Sequence, residues 1–181
     1  MAQSPYYPEQ LLVKASQIKL LICDVDGVLS NGHVIFSNSG EELKTFNIKD
    51  GLGIKLLQNH GVEVAIITGR ESKIVEKRCR ELGINHVYQG KKDKVASFQD
   101  LCSKLNITGQ QVCHIGDDLP DLPLFTLSLL GVCVADGHWF VKQKADWITQ
   151  AKGGDGAVRE ISDLLLTSQG HLNDIHNGYW I

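Results

Sequence analysis

Short apolar runs alternate with helical patterns along most of this chain. Five of these runs have the length and composition of buried strands, and a weaker candidate follows at 146–148; the five are 18–23, 62–67, 86–88, 111–115 and 131–135. Apolar residues recur at helical spacing in the segments 51–60, 71–83, 93–105 and 156–166. Strands that alternate with helices favour a parallel sheet covered on both faces. The pattern therefore predicts an α/β fold built on a doubly wound parallel sheet.

One segment, residues 33–47, interrupts this alternation directly after the first strand. It has the pattern of two short strands joined by a turn at 38–40, which predicts a β-hairpin insertion. Several of its side chains are apolar and would form an exposed patch on a monomer, namely Val34, Ile35, Phe36, Leu43 and Phe46. Because large exposed apolar patches mark interaction sites, the hairpin predicts an oligomer.

Size and charge exclude several classes of protein. A chain of 181 residues fits a single domain over 1–181, with a C-terminal tail at about 168–181. The net charge of −3 argues against a nucleic-acid partner. The apolar runs are far shorter than the ~20 residues of a membrane span, and residues 1–17 lack the pattern of a signal peptide. The five cysteines include no C-x-x-C pair, which indicates buried free thiols in a reducing compartment.

Polar and charged side chains lie directly after several of the predicted strands. Asp24 and Asp26 follow the first strand, Thr68 follows the second, and Asp117 follows the fourth. Lys94 begins the helix after the third strand. Ligands of open α/β sheets bind beyond the carboxyl ends of the strands, so we expect these side chains to meet at one edge.

Phosphoryl transfer is the reaction that uses such a set of carboxylates, a hydroxyl group and a lysine. Mg²⁺ prefers oxygen ligands and would relieve the repulsion between Asp24, Asp26 and Asp117. One carboxylate then attacks phosphorus, and a second carboxylate two residues later exchanges protons with the leaving oxygen and with water. Thr68 and Lys94 would bind the phosphoryl oxygens.

Four motifs occur in order along the chain: "DVDGVLS" at 24–30, Thr68 in "IITGR", Lys94, and "GDDLPD" at 116–121. Together they resemble the haloacid dehalogenase superfamily of phosphatases, which have a Rossmann-like sheet. The resemblance implies that Asp24 is the nucleophile and Asp26 the general acid/base. It also implies that Asp24, the backbone carbonyl of Asp26, and Asp117 ligate the metal. No interval between the motifs is long enough for a cap domain.

Further segments, including "GEELKTFNIKDGLGIKLL" and "QGKKDK", resemble the 3-deoxy-D-manno-octulosonate (KDO) 8-phosphate phosphatases. That resemblance implies a role in lipopolysaccharide synthesis in the cytoplasm of a Gram-negative bacterium. It implies a homotetramer, built by the hairpin, in which neighbouring subunits shape the mouth of the active site. The side chains that would meet the anionic sugar are Arg70, Arg78 and Lys94, and the turn formed by Lys49, Asp50 and Gly51 would border the same pocket.

Alternatives remain open at this level. The substrate could be a nine-carbon sialic-acid-type 9-phosphate, or the chain could be a non-catalytic assembly domain. Asp118 and Asp121 are expected to orient Asp117 or to cap the next short helix, and Arg78 could equally be a solvated helix charge. The tail at 168–181 is expected to fray, with a gating role over the site as the alternative.

Overall fold

A parallel sheet of six strands forms the centre of the computed structural model, which describes residues 7–180. The strands in chain order are β1 (Leu20–Cys23), β2 (Ile35–Phe36), β3 (Glu42–Leu43), β4 (Glu63–Ile67), β5 (His86–Tyr88), β6 (Val112–Gly116), β7 (Leu130–Cys133) and β8 (Trp147–Ile148). The sheet has the order β5-β4-β1-β6-β7-β8, and all its neighbouring strands are parallel. β2 and β3 pair with each other as a separate antiparallel hairpin.

Helices cover both faces of the sheet. They are α1 (Glu9–Ala15), α2 (Ile48–Asn59), α3 (Lys73–Leu82), α4 (Lys94–Leu105), α5 (Leu122–Leu127), α6 (Trp139–Lys144), α7 (Ala157–Ser168) and α8 (Leu172–Tyr179). Alternate residues of a strand point to opposite faces, so Leu21 and Cys23 of β1 pack in the layer with α2, α3 and α7, while Leu20 and Ile22 pack in the layer with α4 and α5. The predicted doubly wound fold is confirmed. No helix within residues 7–180 is long and apolar enough to cross a membrane.

The start of α2 differs from the sequence prediction. The helix begins at Ile48 because the Asn47 side chain caps it, accepting a hydrogen bond of 2.8 Å from the backbone N–H of Lys49. Lys49, Asp50 and Gly51 therefore form the first turn of a helix. The expectation of a turn at these residues, with the helix beginning only at residue 51, is wrong, because the Asn47 cap was not recognised.

The C-terminal tail is also more ordered than expected. Residues Leu172–Tyr179 form α8, and the side chain of Ile175 is buried in the same layer as α7. The expectation of a frayed terminus is wrong for this part of the tail, because Ile175 anchors it in the core. Ile181 lies outside the described residues, and a gating role for the tail stays a prediction.

The hairpin leaves most of its predicted apolar patch exposed. Val34, Ile35, Phe36 and Leu43 are all exposed to solvent. Phe46 is partly buried against the core, with the guanidinium carbon of Arg78 5.9 Å from the centre of its ring. Its assignment to the exposed patch is therefore wrong, because it lies at the entry to α2.

Asp50 links the first turn of α2 to the start of α7. Its side chain is buried, and its Oδ1 and Oδ2 accept hydrogen bonds from the backbone N–H groups of Arg159 (2.7 Å) and Gly156 (3.3 Å). The first N–H groups of a helix have no partner within the helix. Asp50 thus supplies from another helix the cap that the start of α7 requires.

We expect Asp50→Ala to lower the free energy of unfolding by about 2–3 kcal/mol, because two backbone N–H groups lose their acceptor. Equilibrium urea unfolding measures this change. Asp155→Ala is the matched control, since Asp155 is exposed beside the same helix start, and its effect should stay within about 0.5 kcal/mol. Equal effects of the two variants would contradict the assigned capping role.

Candidate active site

Two neighbouring strands bring their carboxylates together at one edge of the sheet. β1 and β6 pair in parallel with Cys23 opposite Ile115, so the residues that follow them, Asp24 and Asp117, leave the sheet side by side. Carboxylate oxygens of Asp24, Asp117 and Asp121 lie within 4.8 Å of one another. The prediction that Asp24 and Asp117 meet at one edge of the sheet is therefore confirmed.

Gly27 allows Asp117 to approach the loop after β1. Its φ is +92°, a backbone conformation that side chains disfavour, and a Cβ at this position would overlap the Asp117 carboxylate. The glycine after the second aspartate is therefore required both by the backbone of the turn and by the space that Asp117 occupies.

Lys94 is the cation at the centre of this carboxylate cluster. It is the first residue of α4, whose start is capped by the side chain of Asp93. Its Nζ lies 3.0 Å from Asp24 Oδ1 and 2.7 Å from Asp121 Oδ1, and its side chain is 5% exposed. Burial alone would lower the pKa of Lys94, but the charges of Asp24 and Asp121 raise it above its ordinary value. Lys94 is therefore held as a buried ammonium.

Asp121 uses both of its oxygens to hold other groups. Oδ1 accepts hydrogen bonds from Lys94 and from His114 Nε2 (3.1 Å), and Oδ2 accepts from the backbone N–H groups of Asp117 (3.0 Å) and Asp118 (3.3 Å). Burial opposes its ionisation, yet the hydrogen bonds from His114 and Lys94, together with the charge of Lys94, hold the pKa of Asp121 well below its usual range. This geometry supports the expected orienting role of Asp121.

Asp118 is exposed, and its carboxylate caps the 3₁₀ turn Leu119–Asp121 by accepting from the N–H of Leu119 at 2.8 Å. This hydrogen bond supports the alternative in which Asp118 caps the short helical segment that follows it.

Negative charge exceeds positive charge around Asp24 and Asp117. Burial, and then the charge of Asp121, raise the pKa of Asp24, although Lys94 opposes them. Burial and the charges of Asp24 and Asp121 raise the pKa of Asp117 to about 8. Because one ammonium cannot neutralise three carboxylates, this cluster favours a further cation.

The carboxylate cluster lines a cleft with a volume of about 520 Å³. Its lining includes all four residues expected to be catalytic and three further basic side chains: Asp24, Asp26, Thr68, Lys94, Arg70, Lys91 and Lys92. Thr68 follows β4 directly, which brings it to the same edge as Asp24. A cleft lined by both basic side chains and a carboxylate cluster suits an anionic ligand that also binds a metal.

Four residues assigned to substrate binding are not among those that line this cleft. They are Lys49, Asp50, Gly51 and Arg78. Asp50 caps α7, as described above, and Arg78 forms an ion pair with Glu81 at 3.5 Å on its own helix. The assignment of these four residues to the sugar stays a prediction.

Sequence reasoning missed two residues of the site, Glu42 and Lys44. Lys44 Nζ pairs with Asp26 Oδ1 and lies 3.3 Å from Glu42 Oε1, and Glu42 Oε1 accepts a hydrogen bond of 2.8 Å from Arg70. The two residues belong to "GEELKTFN", where charged side chains in and beside a short strand normally indicate a solvated hairpin. Their orientation towards Asp26 and Arg70 depends on how the hairpin packs against the loops after β1 and β4, which no local sequence pattern predicts.

Comparison with known proteins places the chain in a family. Residues 83–161 match the family model described as haloacid dehalogenase-like hydrolase. The 3-deoxy-D-manno-octulosonate 8-phosphate phosphatase KdsC of Escherichia coli K12 is 51% identical over 164 residues, which cover 91% of this chain and 87% of that protein.

Solved structures give the same result. The KDO 8-phosphate phosphatase of Moraxella catarrhalis, solved in complex with magnesium, phosphate and KDO, is 40% identical with a TM-score of 0.93, covering 96% of this chain and 99% of that one. The cobalt-bound form of the phosphatase YrbI of Haemophilus influenzae is 39% identical with a TM-score of 0.88, covering 93% and 99%. This chain therefore belongs to the haloacid dehalogenase-like hydrolases, in the family of the KdsC phosphatases.

Proposed function

We propose that this protein is a Mg²⁺-dependent phosphatase that hydrolyses KDO 8-phosphate to KDO and inorganic phosphate. The observation that carries the proposal is the cluster of Asp24, Asp117 and Asp121 around the buried Lys94, at the base of a cleft with a basic wall. The similarity to KdsC along 91% of the chain supports the same substrate. The reaction would supply lipopolysaccharide synthesis in the cytoplasm of a Gram-negative bacterium, with 1–181 acting as one domain.

The residues at the strand ends fit Mg²⁺. Asp24 and Asp117 offer hard oxygen donors whose negative charge is not balanced, and the backbone carbonyl of Asp26 would complete the protein ligands. Asp121 is a poor ligand because both of its oxygens already accept hydrogen bonds. A bound Mg²⁺ would neutralise the phosphoryl oxygens and bring phosphorus within reach of Asp24.

The chain's own residues then account for two chemical steps. A carboxylate oxygen of Asp24 attacks phosphorus, the bond from phosphorus to the sugar oxygen breaks, and Asp26 donates its proton to that oxygen. Water next attacks the aspartyl-phosphate, Asp26 takes the proton from this water, and inorganic phosphate leaves with Asp24 regenerated. Lys94 and Thr68 hold the phosphoryl oxygens during both steps.

A homotetramer is part of the proposal. The apolar side chains of Val34, Ile35, Phe36 and Leu43 are exposed on the hairpin, and oligomerisation would remove them from water. The sugar acid would meet Arg70, Lys91 and Lys92 on the cleft wall, because a guanidinium or ammonium binds a carboxylate favourably.

We expect phosphate release from KDO 8-phosphate with Mg²⁺, and a loss of at least about 10³-fold in Asp24→Asn, which removes the nucleophile. Asp100→Asn is the matched control, because Asp100 is an exposed carboxylate on α4 that does not line the cleft and should leave turnover unchanged. Wild-type activity retained by Asp24→Asn would contradict the assigned nucleophile.

A substrate panel tests the specificity. We expect selectivity for KDO 8-phosphate over a sialic acid 9-phosphate and simple sugar phosphates, measured as the ratio of kcat/KM values. A preference for the nine-carbon substrate, or equal rates on all, would retain the phosphatase and reject the KDO assignment. No metal-dependent release from any substrate would favour a non-catalytic assembly domain.

Metal binding should release a proton. The Asp117 carboxyl, with a pKa of about 8, is mostly protonated at pH 7 in chelator-treated protein, and only its ionised form ligates a cation. Apparent Mg²⁺ affinity should therefore weaken by up to about tenfold for each pH unit below 8. Calorimetric titration at pH 7 in buffers of different ionisation enthalpy measures the proton count, and a count of zero would contradict the prediction.

A further inference from the structure

The hairpin contains a lysine that is buried although its neighbours are exposed. The side chain of Lys44 is 1% exposed, whereas Leu43, directly before it, is exposed. Lys44 follows β3 and extends from the hairpin towards the loop after β1, where its Nζ pairs with Asp26 Oδ1. Burying an ammonium is unfavourable unless it is paired and hydrogen-bonded, so its position depends on these partners.

Four charges form a balanced cluster at this point: Asp26, Glu42, Lys44 and Arg70. Glu42 Oε1 lies 3.3 Å from Lys44 Nζ and accepts a hydrogen bond of 2.8 Å from Arg70. Glu42 thus holds both cations that face Asp26. Two of the four residues come from the hairpin, and the other two come from loops that follow β1 and β4.

The two carboxylate oxygens of Asp26 have different partners in this cluster. Oδ1 pairs with Lys44, but Oδ2 lies 3.7 Å from Arg70 Nε, which is beyond hydrogen-bond length. Among residues 7–180, no group donates a hydrogen bond to Oδ2. Because Lys44 fixes one oxygen, rotation of the carboxylate is restricted, and the other oxygen of this cleft-lining residue remains available for proton transfer.

We infer that Lys44 is a positioning residue for proton transfer by Asp26, an inference that rests on the proposed function. Lys44 holds Oδ1, so that Oδ2 carries the proton to the leaving sugar oxygen when the bond to phosphorus breaks. Oδ2 then takes a proton from the water that hydrolyses the aspartyl-phosphate. Glu42 acts through Lys44 and Arg70 by holding both in place. The hairpin therefore contributes to the chemistry of its own subunit.

The experiment compares two leaving groups in the full-length protein with Mg²⁺. KDO 8-phosphate releases an alkyl alcohol that requires a proton, whereas p-nitrophenyl phosphate releases a phenolate that leaves without one. The value of kcat/KM reports the steps up to departure of the leaving group. We expect Lys44→Met to lower kcat/KM for KDO 8-phosphate on the order of 10²-fold, and for p-nitrophenyl phosphate by less than about threefold.

Two further variants complete the test. Lys44→Arg keeps a cation and should recover most of the lost kcat/KM for KDO 8-phosphate. Lys73→Met is the matched control, because Lys73 is an exposed lysine close to the same hairpin and should leave both substrates unaffected. Activity on p-nitrophenyl phosphate shows that each preparation is folded, so a selective loss cannot come from misfolding.

Equal losses on the two substrates in folded Lys44→Met, no loss on either, or no recovery in Lys44→Arg would each overturn the inference. If Lys44→Met does not fold, Glu42→Gln is judged by the same ratio, since it loosens Lys44 without removing its charge. Failure of the proposed function would be distinguishable from failure of this inference, because in that case the wild-type protein itself would not hydrolyse KDO 8-phosphate. The comparison of leaving groups would then replace KDO 8-phosphate with the alkyl phosphate of the panel that the protein hydrolyses with the highest kcat/KM.

Discussion

The buried Lys94 ammonium is the interaction on which the arrangement of the site depends. The parallel pairing of β1 with β6 places Asp24 beside Asp117, and the turn after β6 adds Asp121. Three carboxylates at this distance, two of them buried and one partly buried, repel one another strongly. Lys94 offsets part of that repulsion by pairing with Asp24 and Asp121, and the remaining negative charge lies at Asp24 and Asp117, where the proposed cation would bind.

A second buried lysine gives the site a similar organisation around Asp26. Lys94 comes from the start of a core helix, and Lys44 comes from a hairpin that is otherwise exposed. That hairpin also carries the exposed apolar residues proposed to form the oligomer interface. The same short insertion would therefore serve both assembly and the orientation of Asp26. Loosening the hairpin is expected to affect catalysis as well as the oligomeric state.

The amino-acid sequence alone was sufficient to predict the parallel sheet, the sheet edge at which the site lies, and the principal carboxylates of the site. Apolar runs identified the strands, and the rule that parallel strands end at a common edge brought Asp24, Thr68 and Asp117 together. The short helix α6 was not predicted, because its six residues carry too little periodicity. Lys44 was missed because its contacts join segments 18 residues apart through a loop whose direction is set by tertiary packing.

The central claim is that Asp24 forms a covalent bond to phosphorus during turnover, and trapping that intermediate tests it most directly. The protein would be mixed with KDO 8-phosphate and Mg²⁺, quenched in acid within the first turnover, digested and examined by mass spectrometry. The account predicts one added phosphoryl group on the peptide that contains Asp24, and none in Asp24→Asn. A phosphoryl group on another residue of the active enzyme would contradict it.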